Sequence, residues 1–552
     1  MGVWTMRGSV LLAAAMILAV SIIPLADALD NETDTSGEIT LHFREAFGTG
    51  LNGYGQLGNG SADNVLNFES LDFDDAVAIY PTSETVYYLT SDGRLFGSGH
   101  NDCGQLGTGD TVDRHEPVRI GAGLGTVVYV TCGPYDVFFI NSEGELFGTG
   151  GNSTGRFGNG STENVLSPIR VGEELGAISK ACIVDRTLFV LNEEGDLYGA
   201  GANNQGIIGN GKSSNQTTFY HMNEGLGAVV DVRISKDTAL WLNDRGELFG
   251  CGRNDYGQLG QGDTVTPRKT PVRIGEGIGT IVSMECTYGA TYMLTSTGDV
   301  YACGGNGSGQ LGTGTVDNAL VPTQIGSEIG KTISKVSVAY KRTTLLASDG
   351  SMYVCGINSG GQNGDGSTVN TPSLQLVDPS FGTVADIFCS ELATYFVNSE
   401  GVLYGAGKNV DGALGIGESN GIVKTFTVIG ELDNLTYFSC CATGAFCITD
   451  RESHVAPPGI QYAVSGSSVD IQMVSDDDLL SYSVVSCSDG TAESDGNVIS
   501  YSCPTVQSPS EETVNVSVTN GMQSEQFPID VVVVQVLTFV NSPSDGRIAQ
   551  EG

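Results

Sequence analysis

Gly151-Asn-Ser-Thr-Gly155 has the G-x-S-x-G spacing that, in α/β hydrolases, raises a serine nucleophile on a strained turn between a strand and a helix. Here a polar stretch follows it and no helical periodicity does, so the segment reads as a turn. Glycine runs such as Gly305 to Gly314 resemble phosphate-cradling loops, but phosphate binding of that type also needs a helix N-terminus behind the loop. The five histidines (His42, His100, His115, His221 and His454) are isolated, with none at the close spacing of paired metal ligands. Asp72 to Asp75 and Asp476-Asp477-Asp478 offer oxygen ligands without the loop-and-glycine spacing of a calcium-binding helix pair, and they read as solvated acidic faces. The expectation is a non-catalytic chain with no cofactor and no metal site.

The 552 residues include Gly 78 and carry a formal net charge of −39, from Lys+Arg 25 against Asp+Glu 64. Such a field repels a phosphate backbone, so direct nucleic-acid binding is excluded and cationic partners are favoured. Hydrophobic residues at 40% supply a core and exclude global disorder. Residues 1–28 read as a signal peptide: Arg7, an apolar run from Val10 to Ile23, and Ala26-Asp-Ala28 at the cleavage site. That run is shorter than the roughly 20 residues a spanning helix needs, so export is expected, with an uncleaved anchor as the minor alternative. The sequons at Asn31, Asn59, Asn152, Asn159, Asn215, Asn306, Asn434 and Asn515 are glycosylation candidates. The thirteen cysteines of an exported chain permit disulfides.

The glycine excess comes from repetition. The pattern G-x-N-x-x-G-x-x-G-x-G starts at Gly99, Gly150, Gly201, Gly252, Gly304, Gly356 and Gly407, and Gly50-Leu-Asn-Gly-Tyr-Gly-Gln-Leu-Gly-Asn-Gly60 is a variant of it. Eight copies about 49 to 52 residues apart require a repeat architecture. Before each motif lies a short strand such as Glu145-Leu-Phe-Gly, preceded by a glycine hairpin turn such as Ser142-Glu-Gly144 and, upstream of that, an apolar strand such as Val137-Phe-Phe-Ile140. After each motif comes a polar loop, often ending in proline. About four short strands per repeat match one blade of a propeller. Cys251, Cys303 and Cys355 share one repeat position, and Cys132, Cys182, Cys286, Cys389 and Cys440 are counted at another, on the strand expected innermost. They read as small buried hydrophobes, although Cys132 with Cys182, or Cys389 with Cys440, could oxidise if their Cα atoms lay within about 7 Å.

Copies such as Gly252-Arg-Asn-Asp-Tyr-Gly-Gln-Leu-Gly-Gln-Gly-Asp263 and Gly99-His-Asn-Asp-Cys-Gly-Gln-Leu-Gly-Thr-Gly-Asp110 resemble the repeat of the regulator of chromosome condensation family, over residues 39–450. The resemblance implies an all-β propeller, normally seven-bladed, closed by strands from both ends of the chain. Eight motifs point to eight blades and the family norm to seven. The last copy stops after Phe446-Cys-Ile-Thr-Asp450, and Ile39-Thr-Leu-His-Phe-Arg-Glu-Ala-Phe-Gly48 is the candidate to complete it. The resemblance implies a histidine four residues after the glycine or cysteine that opens the inner strand. Counted that way, the positions here are Asp136, Arg186, Thr238, Ala290, Arg342, Ala393 and Gly444. None is histidine, so a family-wide axial site is in doubt.

Beyond Pro457-Pro458-Gly459, residues 457–545 alternate as strands, with Cys487 and Cys503 flanking an acidic turn as a candidate disulfide. A small β-sandwich, immunoglobulin-like only in general pattern, is expected there. For function, the family resemblance implies protein binding through loop faces. Guanine-nucleotide exchange on a Ran-type GTPase is the alternative, disfavoured by the signal and by the absence of a basic segment and of a wedge insertion. The resemblance also includes a secreted inhibitor of β-lactamases, so inhibition of an extracellular enzyme is a further reading. Oligomeric state is not readable from these residues.

Overall fold

In the computed structural model the described residues run from 39 to 549, except 420, 431, 433, 457–460, 465–467, 476–480, 503–509, 520–523, 535–539 and 542–547. The expected signal peptide, Asn31, Pro457-Pro458-Gly459, Asp476-Asp477-Asp478 and Cys503 lie outside them. The chain divides into two compact units, residues 46–449 forming one and residues 450–549, with 39–45, the other.

The larger unit is built on eight sheets, seven of them four-stranded. Seven are continuous in sequence, each an antiparallel meander such as Ala76–Pro81, Thr85–Thr90, Leu95–Gly99 and Arg114–Ile120. In chain order these are blades one to seven. The eighth is spliced, in the order Val65–Asp74, Ile39–Gly50, Gly444–Ala456, Leu435–Cys440. First strands meet one another around an axis, and the ring closes where Ala76–Pro81 meets Leu435–Cys440. The blade number is therefore eight, with Ile39–Gly50 supplying the missing strand.

Each second strand is buried along its whole length, as in Asp136–Asn141 and Thr238–Asn243, because both faces of a blade pack on neighbours. This is why these strands read as continuous apolar runs rather than alternating ones. Outer strands such as Val165–Val171 are half-exposed.

The glycine motif is the joint between blades. Its Gly backbone N–H donates to a carbonyl on the next blade's outer strand: Gly60 to His115 at 2.9 Å, Gly109 to Leu166 at 2.8 Å, and so around to Gly417 on Leu66 at 2.9 Å. A Cβ at Gly257 would meet the Leu320 Cα at 2.9 Å, and one at Gly304, with φ +109°, would lie 2.3 Å from the Gly289 oxygen. Only glycine tolerates both the approach and the left-handed backbone.

In the smaller unit, Ile471, Ile499 and Tyr501 of one sheet share a core with Tyr482, Val514, Val516, Val518, Ile529 and Val531 of another, a small β-sandwich.

Candidate functional site

The motif asparagine holds each loop together. Asn254 is fully buried; its Oδ1 accepts from the Leu259 amide at 2.9 Å and its Nδ2 donates to the Asp263 carbonyl at 3.1 Å. Asn152 and Asn306 hold the same position, both at 0% exposure, with Nδ2 donating to the Ser161 and Thr315 carbonyls. Their sequons arise because the motif happens to be followed by serine or threonine at the right spacing. Asn159, Asn215 and Asn434 are exposed, and Asn59 and Asn515 half-buried. If the chain is glycosylated, peptide mass mapping is expected to find sugar at Asn159, Asn215 or Asn434 and none at Asn152 or Asn306 in folded protein. A glycan on Asn306 would contradict this assignment.

The thiols are structural. Cys251, Cys303 and Cys355 sit where other blades carry Thr49, Ser98 and Thr149, and all six donate across a blade interface, as Ser98 Oγ does to Gln56 O at 2.9 Å and Cys251 Sγ to Ile207 O at 3.0 Å. Burial pushes the Cys132 and Cys303 thiols up to about 12, so neither is a ready thiolate. The described cysteines form no disulfide with one another.

One repeat position needs correcting. Cys132, Cys286, Cys389 and Cys440 pair with Val137, Thr291, Thr394 and Ala445, the second residue of the next strand, whereas Cys182 pairs with Phe189, the third. Ile183 takes the shared position in that blade, and the turn through Asp185, with φ 51°, shifts the count by one. The residue equivalent to Asp136 is therefore Thr187, and Arg186 is exposed at the turn tip.

At this position the fold holds two buried charges. Asp136 and Arg156 form an ion pair at 0% and 2% side-chain exposure, and Arg156 stands where other motifs carry Gln105, Gln258 or Gln310. Burial pushes the Asp136 carboxyl up to about 6 despite the guanidinium beside it. Arg342, fully buried, stitches blade six to seven by donating to the Ser390 and Ala393 carbonyls at 2.9 and 2.7 Å. Around the axis Lys180 meets Asp231 at 2.5 Å, Arg233 lies 3.1 Å from Asp231 and 3.5 Å from Glu285, and Lys335 meets Asp386 at 2.5 Å. Lys180–Asp231, Arg233–Glu285 and Lys335–Asp386 span adjacent first strands, while Arg233–Asp231 lies within one.

Among the described side chains no histidine is paired with a nucleophile. His100 lies 3.1 Å from Glu84 and stacks on Tyr54, and His221 lies 3.2 Å from Asp196 and stacks on Tyr198. Ser153 is exposed in a loop that leaves an antiparallel strand, and the helical segments among the described residues are three-residue 3-10 turns. No group of three or more His, Cys, Asp or Glu among the described residues could hold a metal ion.

What the ring presents is two ends built from different connections. Strand direction alternates, so first-to-second turns and third-to-fourth loops emerge at one end, here the loop face. Second-to-third hairpins and the crossovers between blades emerge at the other, the hairpin face. The loops expected to carry specificity, Ser61 to Asn67, Thr111 to Glu116, Ser161 to Ser167, Ser213 to Thr218, Asp263 to Thr270, Thr315 to Val321 and Ser367 to Thr371, all lie on the loop face. The hairpin face collects exposed carboxylates: Glu143 and Glu174 in blade two, Glu193, Glu194 and Glu224 in blade three, Asp244 and Glu276 in blade four. Among the described residues Glu174, Glu193, Glu194 and Glu224 meet no cation. Exposed carboxylates occur on the loop face too, among them Asp63, Asp102, Glu163, Asp317, Asp365 and Glu418, so the acidic charge is spread over both ends.

The regulator of chromosome condensation (RCC1) repeat is matched at residues 92–140, 245–294 and 297–346. The ultraviolet-B receptor UVR8 of Arabidopsis thaliana is 30% identical over 328 residues, covering 58% of this chain and 74% of the receptor. The chain belongs to the regulator of chromosome condensation repeat family. A second relative, the E3 ubiquitin-protein ligase HERC2 of Homo sapiens, is 29% identical over 58% of this chain, which spans only 7% of the ligase. Among solved structures, Prp20p of Saccharomyces cerevisiae superposes with a TM-score of 0.51 at 18% identity, covering 66% of this chain and 92% of Prp20p, a likeness of fold. Measured against family expectation, this RCC1-repeat propeller has an eighth blade, and the inner position expected to hold histidine carries a buried charge in blades two and six, Asp136 and Arg342.

Proposed function

We propose that this propeller is an exported, non-catalytic protein-binding module whose hairpin face docks a cationic protein partner. The observation that carries the reading is the unpaired acidic arc of blades two and three, where Glu174, Glu193, Glu194 and Glu224 are exposed on neighbouring turns. A rigid ring holds these carboxylates in place, so a basic partner meets a preformed field and its encounter is accelerated at low salt. A relative offers a precedent: Prp20p is described with binding properties to Gsp1p and histones, and histones are basic. Export is supported by the apolar run from Val10 to Ile23 and the Ala26-Asp-Ala28 site.

The test uses the full mature chain and a labelled oligolysine as the probe of the face. Reversing Glu193, Glu194 and Glu224 to lysine is expected to slow association ~10-fold at low salt, with the effect shrinking as salt rises. Unchanged kinetics in that variant would remove the hairpin face from the proposal. N-terminal sequencing of protein collected from the medium is expected to begin after residue 28, and an intact Met1 on secreted protein would defeat the cleaved-signal reading.

A further inference from the structure

The loop face differs from the hairpin face around the axial mouth of blades four to six. Tyr256, Tyr288 and Tyr340 are exposed there at 37%, 39% and 47%. Two come from first-to-second turns, at the tips of the innermost strands, and Tyr256 comes from the motif loop of blade four, which reaches toward Gly289 and Gly305 of blade five. Arg253 lies between two of the rings, its guanidinium carbon 4.5 Å from the Tyr288 centroid and 5.7 Å from that of Tyr256. The carboxylates of this arc, Asp237 and Asp255, are taken up by Arg253 at 3.6 and 2.7 Å. Lys236 and Lys341, exposed at the turn tips, meet no carboxylate among the described residues.

Folding does not demand these side chains. Tyr340 holds its backbone at φ 47°, a left-handed conformation that costs a bulky residue and favours glycine or asparagine. Lys341, itself exposed, lies 5.4 Å from that exposed ring. Two lysines that meet no carboxylate thus flank three exposed tyrosines and an arginine stacked on two of them. Tyrosine and arginine are the residue types enriched where protein interfaces concentrate binding energy.

From this juxtaposition we infer that the loop-face mouth of blades four to six docks an extended acidic segment of a partner protein, one whose carboxylates reach Lys236 and Lys341 while its apolar side chains lie on the tyrosines. Charge limits the occupant. The patch is short, and the loops beyond it return to carboxylates at Asp263, Asp317 and Asp365, so a long polyanion such as a nucleic acid or a sulfated glycan would overrun the cations and be repelled. A short acidic stretch with apolar residues fits within them. This surface is separate from the hairpin face and independent of the proposal made for it.

The test titrates the full mature chain with a fluorescent peptide in which glutamate alternates with leucine and phenylalanine, against the same peptide with lysine for glutamate. The acidic peptide is expected to bind and to lose at least ~10-fold in affinity with Lys236→Glu plus Lys341→Glu, and again with Tyr288→Ala plus Tyr340→Ala. Reversal of Glu193 and Glu194 on the other end is expected to leave it unaffected. The lysine pair is exposed and keeps the fold, so loss of binding there cannot be blamed on unfolding. The inference is overturned if neither variant weakens the acidic peptide, or if the basic peptide binds this face equally well. It also fails if heparin binds it more tightly than the peptide, or if sedimentation shows a self-associated chain that these variants dissociate.

Discussion

A chain that begins at residue 51 is expected to lose the closed ring. Removing Ile39–Gly50 takes the third-position strand out of the eighth blade and leaves Val65–Asp74 with no strand beside it in the sheet. It also removes Thr49, whose hydroxyl donates to the carbonyls of Val65 and Gly412 at 2.9 Å each, and Ala46, which is fully buried. Two sheet edges and an apolar blade face would then meet water. Domains of this kind are stable by roughly 5–15 kcal/mol in total, and the loss of a central strand consumes most of that. The truncated ring is expected to melt in a broader transition and at a lower temperature than the intact one, with proteolysis starting at the seventh and eighth blades. A peptide of residues 39–50 added in excess should restore part of the transition. An unchanged melting temperature in the truncated chain would mean that the splice is not what closes the ring.

That splice was legible in sequence because the repeat is strict. Once the turn Ser142-Glu-Gly144 and the motif after it recur at fixed spacing, a final copy ending at Asp450 is visibly short, and the residues from Ile39 carry the missing pattern. Position within a blade was less legible. Counting from Cys182 misplaces Arg186 by one residue, because the strand pairing, not the residue type, sets the register, and the left-handed turn at Asp185 hides the difference. The two faces were not legible at all from charge totals, since −39 says nothing about which end of a strand a turn occupies. The paired departure in blade two had a signal: Arg156 replaces the repeat's glutamine in the same blade in which Asp136 replaces threonine or alanine. Two charges of opposite sign that break a repeat together are expected to be in contact.

That contact makes the chain's stability depend on pH in a direction unusual for a carboxylate. Ordinary surface carboxylates have pKa values lowered by cations and lose their contribution as pH falls. Asp136 is instead pushed up to about 6, first by burial, against the pull of Arg156. Between the usual value near 3.8 and about 6 the folded chain therefore holds a proton that the unfolded chain has released. The contribution of this group is full below that window and declines as pH rises through about 6, by about 3 kcal/mol in all. Asp136→Asn should flatten this part of the profile, and it should also lower stability at pH 7, because it leaves the Arg156 charge buried without a counter-ion. Removing one partner outright, as in Asp136→Ala, is expected to cost about 3–5 kcal/mol. Arg156→Gln leaves the carboxylate alone in its pocket, so its titration should move above 6 and the decline should extend toward neutral pH. The double variant Asp136→Thr with Arg156→Gln installs the combination that blades one and four already use, where Thr85 and Thr238 donate to the His100 and Arg253 carbonyls beside Gln105 and Gln258. It should recover most of the stability lost by either single change and show no decline through pH 6. Urea unfolding of the four proteins at several pH values reads both effects. If the two single losses simply add in the double variant, the pair is not coupled, and the charges at this interface are held by something other than each other.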